Sequence, residues 1–166
     1  MRPERIDTRE LVKKIEKLTR ERMTEEKVVS LSELRRLKDK KMPPCLLIIE
    51  DDETIRIAMK RLFEGEGYAV RCAADGTQLS EVLDGHPIDL IILDVGLPWI
   101  NGYELAAMMR ENKDLQEIPL IFVSGRTSEE DIKRGFAAGA DDYVKKPFDL
   151  ERMKRTVATL IRLNSV

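Results

Sequence analysis

The sequence predicts an α/β fold, a doubly wound five-stranded parallel sheet carrying a helical N-terminal extension. Three observations predict it. Short apolar runs recur at "CLLIIE" (45–50), "DLIILD" (89–94) and "PLIFVS" (119–124), continuous rather than alternating, as strands covered on both faces require. Between them lie stretches with apolar residues at helical spacing. The break "KKMPP", residues 40–44, ends any preceding helix and extends the chain, because proline disfavours helix in the residue before it.

Each element follows in order. The first strand covers 45–50. The stretch 53–64, "ETIRIAMKRLFE", places Ile55, Ala58, Met59, Leu62 and Phe63 on one helical stripe, and Gly65 and Gly67 end it. "YAVRCA" (68–73) is the second strand, and Asp75 is placed to cap the next helix, which ends before "DGHP". Residues 89–94 form the third strand and 102–112, "GYELAAMMREN", the third helix. Residues 119–124 form the fourth strand. "SEEDIKRGFAAGA" (128–140) is helical, with Ser128 and Asp131 in the pattern of a capping box. A short strand lies in "DYVKKP" (142–147). The last helix is "DLERMKRTVATLIRL" (149–163), with Leu150, Met153, Val157, Leu160 and Ile161 on one face. Strands alternating with amphipathic helices imply a parallel sheet with right-handed crossovers.

The chain has 166 residues, enough for one domain with a core plus an extension. No apolar stretch approaches the roughly 18 residues that span a bilayer. The charged start "MRPERIDTRE" has no apolar core behind it and does not read as a secretory signal, so a cytoplasmic location is expected. Cys45 and Cys72 fit no metal spacing. They fall at opposite ends of adjacent strands, which argues for free thiols. His86, the only histidine, sits in a turn signal and is expected in a solvated loop. Residues 1–42 hold 14 Lys/Arg against 9 Asp/Glu, and residues 43–166 hold 15 against 22. A basic arm precedes an acidic domain.

The chemistry is expected where the strands end. Open parallel sheets carry their functional groups at the carboxyl ends of the strands. Here those ends supply Glu50 and Asp51, then Asp94, then Ser124, and finally Lys145 and Lys146 before Pro147. Clustered carboxylates need a compensating cation. All-oxygen ligands with open positions suit magnesium, which keeps several waters and bridges to phosphate. A carboxylate can itself attack phosphorus and form an acyl phosphate. It needs no base, because aspartate ionises well below neutral pH, near about 3.9.

The motifs "LLIIEDDETIR", "LIILDVGLPWINGYEL", "IFVSG" and "DDYVKKPF" resemble, in order and spacing, the phospho-receiver domain of bacterial two-component response regulators. The resemblance covers residues 43–166. It implies a flavodoxin-like (βα)5 receiver with Asp94 as phosphoacceptor. It implies a Mg2+ site formed by Asp51, Asp94 and the Gly96 backbone carbonyl, with Glu50 assisting through water. It gives Ser124 and Lys146 contact with the phosphoryl group and commonly a cis Lys-Pro bond. Tyr143 becomes the switch aromatic that moves inward with Ser124, and Gly125 the small residue that keeps the phosphoryl group accessible. Of three conceivable acid pairs, 50/51, 51/52 and 52/53, the first is expected because the apolar run ends at Ile49. The family resembled also often has an arginine five residues after the second acid, where Arg56 follows Asp51. Asp52 and Glu53 then enter the helix, where acids favour its positive end.

The implied function is signalling by phosphorylation-controlled protein contacts. A sensor histidine kinase or phosphotransfer protein is the expected donor and a downstream protein the expected target. No enzymatic activity is expected beyond catalysis of its own phosphorylation and dephosphorylation. The alternative is a phosphorylation-independent scaffold or dimerisation module on the same fold. A phosphatase acting on external substrates would usually carry an acid at position 96, where this chain has Gly96. Trp99 departs from the family pattern; gating or partner anchoring and plain loop packing are both open for it.

The arm, residues 1–42, has apolar residues at 6, 11, 12, 15 and 18 and again at Leu31, Leu34 and Leu37. Two amphipathic helices, or one interrupted helix, are expected. Such a face is buried on its own receiver, a second copy or a partner, with homodimer or partner contact the preferred reading. Interleaved glutamates and the lack of a helix-turn-helix pattern argue against nucleic acid.

Overall fold

The computed structural model describes residues 9, 11–17, 42–85 and 87–165. His86 and the expected second arm helix lie outside the described residues, as do residues 6 and 18.

Five strands alternate with five helices: β1 (Cys45–Ile49), α1 (Glu53–Gly65), β2 (Ala69–Ala73), α2 (Gly76–Gly85), β3 (Leu90–Asp94), α3 (Gly102–Glu111), β4 (Leu120–Ser124), α4 (Glu129–Ala137), β5 (Asp142–Lys145) and α5 (Leu150–Asn164). All strand pairs are parallel, in the order β2-β1-β3-β4-β5. The order reverses between β1 and β3. A crevice therefore opens at their carboxyl ends, where ligands bind in this class of sheet.

The strands alternate their side chains between two buried clusters, which is why they read as continuous apolar runs. Leu47, Ile49, Ile91, Leu93 and Phe122 join the cluster that contains Leu79, Leu83, Leu105 and Met109 of α2 and α3. Leu46, Ile48, Ile92, Val123 and Val144 join the other, with Met59 and Phe63 of α1 and Met153 and Val157 of α5. Leu150 departs from expectation. It follows the Asp149 N-cap as the first residue of α5 and is 53% exposed, beyond the edge of the core.

Local capping chemistry sets the helix starts. Asp52, Ser128 and Asp149 each accept a backbone N–H three residues on. Asp75 accepts from Gln78 N at 2.8 Å. The Ser128 hydroxyl also donates to Asp131 Oδ2 at 2.7 Å, closing the expected box by a side-chain contact. The turn after α1 requires Gly67, whose φ of +92° suits only a residue without a Cβ.

Residues 11–17 are helical and dock on their own chain. Leu11 and Ile15 belong to the same buried cluster as Leu83, Met109 and Leu115. Asn112 Nδ2 donates to Ile15 O at 3.3 Å, and Lys14 Nζ lies 3.0 Å from Asp84 Oδ2. Of the three places considered for the arm's apolar face, its own receiver is the one these residues occupy.

Candidate functional site

The expected rim residues converge. Glu50, Asp51 and Asp94 each offer a carboxylate oxygen, and these oxygens lie within 4.8 Å of one another. Glu50 and Asp94 are 1% and 8% exposed, while Asp51 faces solvent. Lys146 reaches in from the end of β5, its Nζ 2.9 Å from Glu50 Oε2 and 3.4 Å from Asp94 Oδ1. The Asp52 side chain takes no part in this group, although its backbone N donates to Glu50 Oε1 at 3.2 Å. The Asp52 carboxylate caps α1 by accepting from Ile55 N at 3.0 Å. Arg56 NH1 donates to the carbonyls of Glu50 and Asp51 at 3.0 and 3.2 Å, fixing the backbone that carries both acids.

Charge governs the site. Three carboxylates face one ammonium, so the cluster stays net negative at neutral pH. Burial raises the Glu50 carboxyl above its usual range, the Lys146 hydrogen bond opposes the rise, and Asp94 adds to it. Burial pulls on Lys146 in the other direction. Its hydrogen bond to Glu50 and the charge of Asp94 outweigh that pull and leave the ammonium raised. An all-oxygen, net-negative donor set with one solvent-facing member fits a hard divalent cation that retains water.

The surrounding loops are shaped by close backbone contacts. Asp94 Oδ1 accepts from Gly96 N at 3.4 Å. Among the described residues no group donates to Asp94 Oδ2. Gly102 lies directly behind: a Cβ there would stand 2.6 Å from Asp94 O and 2.6 Å from Val95 Cα. Ser124 is buried at the end of β4. Its Oγ accepts from Arg126 N at 3.0 Å, which leaves its own proton to donate. At Gly125 a Cβ would meet nothing within 4 Å, so the space beside Ser124 is open. The Lys146–Pro147 bond is cis, and Lys145 is exposed, turned away from the acids. Tyr143 is buried, its hydroxyl donating to Arg126 O at 2.7 Å.

Trp99 is half-buried against the core rather than exposed, as the packing reading required. Its Nε1 is buried with no hydrogen-bond partner among the described residues. Sequence reasoning missed Tyr103 and Gly135, both of which touch the surroundings of Tyr143. "GYEL" and "KRGFA" read as ordinary helix, and no local signal ties either position to residue 143. Both cysteines are free, Cys45 buried and Cys72 half-buried. Among the described residues, no helix is long and apolar enough to cross a membrane.

Comparison with known proteins agrees with this geometry. The family model of the response regulator receiver domain matches residues 46–158. The chain is 42% identical over 106 residues to the aerobic respiration control protein ArcA of Escherichia coli K12, a match covering 64% of this chain and 43% of that protein. The chain thus spans less than half the length of that relative. A crystal structure of a response regulator from Chloroflexus aurantiacus superimposes with a TM-score of 0.68 at 31% identity, covering 73% of this chain and 99% of that one. The receiver domain of a Pseudomonas aeruginosa sensor histidine kinase superimposes at 0.65 with 25% identity, covering 72% and 98%. That structure holds a magnesium ion in its active-site cleft.

Proposed function

This chain belongs to the response regulator receiver domain family, and we propose that within it Asp94 accepts a phosphoryl group from a histidine kinase or phosphotransfer protein. The observation that carries the proposal is the convergence of Glu50, Asp51 and Asp94 within 4.8 Å, with Lys146 on two of them. Glu50, Asp51, Asp94 and the Gly96 carbonyl would hold Mg2+. That ion would supply charge stabilisation for the transferring phosphoryl group.

The chain's own groups then divide the work. Lys146 holds Asp94 by Oδ1, which leaves Oδ2, with no donor among the described residues, as the attacking oxygen. As the Oδ2–phosphorus bond forms, the bond from phosphorus to the donor nitrogen breaks. Its electron pair stays on the donor imidazole, and an acyl phosphate remains on Asp94. The Lys146 ammonium and the Ser124 hydroxyl are placed to meet the phosphoryl oxygens, fixed donors that need no reorganisation as charge moves.

We assign the response to Ser124 and Tyr143. Ser124 draws toward the phosphoryl group; Tyr143, expected to move inward with it, is already buried here, so its response is a change of hydrogen-bond partners within that seat. Both lie beside α4, so the change reaches the α4–β5–α5 surface, where Phe136 and Leu150 are 47% and 53% exposed. That surface is where we place a downstream protein target. Leu11 and Ile15 are buried on their own chain, so a homodimer or partner contact of residues 1–42 falls to other positions of the arm. The protein's only chemistry, in this reading, is its own phosphorylation and dephosphorylation, in the cytoplasm.

Intact-mass measurement after incubation with acetyl phosphate and Mg2+ tests the proposal. A gain of about 80 Da, one phosphoryl group, is expected in the wild type and is absent in Asp94→Asn. A gain that survives the substitution overturns it.

A further inference from the structure

Tyr103 is the second residue of α3, in the segment that leaves Asp94, while Tyr143 sits on β5, 40 residues away in sequence. Their hydroxyl oxygens lie 3.2 Å apart. The Tyr103 hydroxyl also lies 3.0 Å from the Asp131 carbonyl, at the first turn of α4. The Tyr143 hydroxyl lies 2.7 Å from the Arg126 carbonyl, in the β4–α4 loop. Both rings are 5% exposed and flank Phe122, with centroids 5.3 and 6.0 Å from it. The Arg134 guanidinium stands 4.8 Å over the Tyr103 ring.

These three oxygen contacts share two protons. A phenol donates once, so at any moment one contact lacks a hydrogen. The short 2.7 Å contact commits the Tyr143 proton to Arg126. The Tyr103 proton is then divided between Asp131 O and the Tyr143 oxygen, at two longer distances. Ionisation does not relieve the shortage. Burial, and next the Tyr143 hydroxyl, push the Tyr103 phenol well above its ordinary value.

Space in this region is equally specific. Gly135 of α4 lies over the Tyr143 ring, and a Cβ there would stand 2.7 Å from Cδ2 and 2.9 Å from Cε2. The inward seat of Tyr143 exists because position 135 has no side chain.

We propose that Tyr103 is a positioning residue of the switch: its single shared proton holds Tyr143 in the inward seat and ties the Asp94 segment to residues 126–131. The inference rests on the reading of Tyr143 as the aromatic that responds to Asp94 phosphorylation. Tyr103 makes no hydrogen bond to Asp94, Lys146 or the other acids, so it acts on the response and not on phosphoryl transfer. When the Tyr103 proton turns to Tyr143, Asp131 loses its donor and the first turn of α4 loosens. When it turns to Asp131, the turn tightens and Tyr143 loses a bond. Movement of Ser124 and its neighbour Arg126 would bias that choice.

The test is amide hydrogen exchange of residues 126–131 in the full chain, before and after acetyl phosphate with Mg2+. It compares wild type, Tyr103→Phe, Tyr143→Phe and the double variant. Phosphorylation is expected to change exchange of this segment several-fold in the wild type. Tyr103→Phe should cut that change at least threefold while the rate of the mass gain stays within twofold. The phosphorylation-dependent change in the double variant should equal that in Tyr143→Phe alone, because the shared proton has no choice to make once the Tyr143 hydroxyl is gone. The exchange before phosphorylation should be faster in the double variant, which lacks the donor to Asp131. A Tyr103→Phe response equal to wild type overturns this inference and leaves the Tyr143 reading standing. Additive losses in the double variant overturn it as well. A wild-type segment that ignores phosphorylation overturns the Tyr143 reading and this inference together.

Discussion

The Lys146 ammonium lies 2.9 Å from the Glu50 carboxylate, joining the end of β5 to the end of β1 across 96 residues of chain. The contact is mostly buried. It neutralises one acid of a cluster that would otherwise hold three uncompensated charges, and its removal should therefore be felt in two ways. Lys146→Ala frees Glu50 and Asp94 for a competing cation, so Mg2+ affinity should rise by roughly tenfold, the effect of about 1.4 kcal/mol. Without Mg2+ the same variant should melt at a lower temperature, because a buried carboxylate loses its partner. Calorimetric titration and thermal melts check both directions.

The acids at the end of β1 should separate by role. Asp51→Ala should abolish measurable Mg2+ binding, followed by the fluorescence of Trp99, the only tryptophan. Asp52→Ala should keep that binding and lose about 1 kcal/mol of stability as the α1 cap disappears. Loss of Mg2+ binding in Asp52→Ala alone would shift the working pair by one residue.

Gly102→Ala tests the seat of the phosphoacceptor. Its Cβ would clash with backbone on both Asp94 and Val95 at 2.6 Å, and backbone does not swing aside as a flexible side chain does. The variant should lose about 1–3 kcal/mol of stability, as overpacking does. The remaining folded protein should phosphorylate more slowly, measured as the rate of mass gain with acetyl phosphate.

The thiols give a pH signature. Burial pushes both Cys45 and Cys72 up from their ordinary value, so the folded chain keeps these protons to higher pH than the unfolded chain does. Alkylation by iodoacetamide at pH 8 should be at least tenfold slower in native than in denaturant-unfolded protein. The linkage sign follows: above pH about 8.5 the unfolded thiols ionise first, and stability falls as pH rises. Native alkylation as fast as in the unfolded chain would contradict the placement of both side chains.

Much of this molecule is legible in its sequence because both sheet faces are buried. A strand such as Leu46–Ile49 has no polar side to disguise it, and the polar residue that closes each run, Glu50, Asp94 or Ser124, marks the rim. The helix caps at Asp52, Asp75 and Ser128 are legible because capping depends on residues three apart. Strand order is not written locally; it follows from crossovers. Arg110 carries no signal in the sequence, yet it donates to the carbonyls of Gln116, Ile118 and Gly139 and to Asp141. Tyr143 reads as the switch aromatic only through the family resemblance, and Tyr103 carries no signal of its own; only folding reveals that their hydroxyls meet. Leu11 and Ile15 announce a buried face without saying what buries it.

The central claim is that a phosphoryl group arrives on Asp94 and nowhere else. Borohydride reduces an aspartyl phosphate to homoserine, so peptide mapping after treatment with acetyl phosphate, Mg2+ and borohydride reads the site directly. The expected result is homoserine at position 94, dependent on Mg2+. Homoserine at 51 or 52, or an unmodified Asp94 in a chain that has gained the phosphoryl mass, would contradict it.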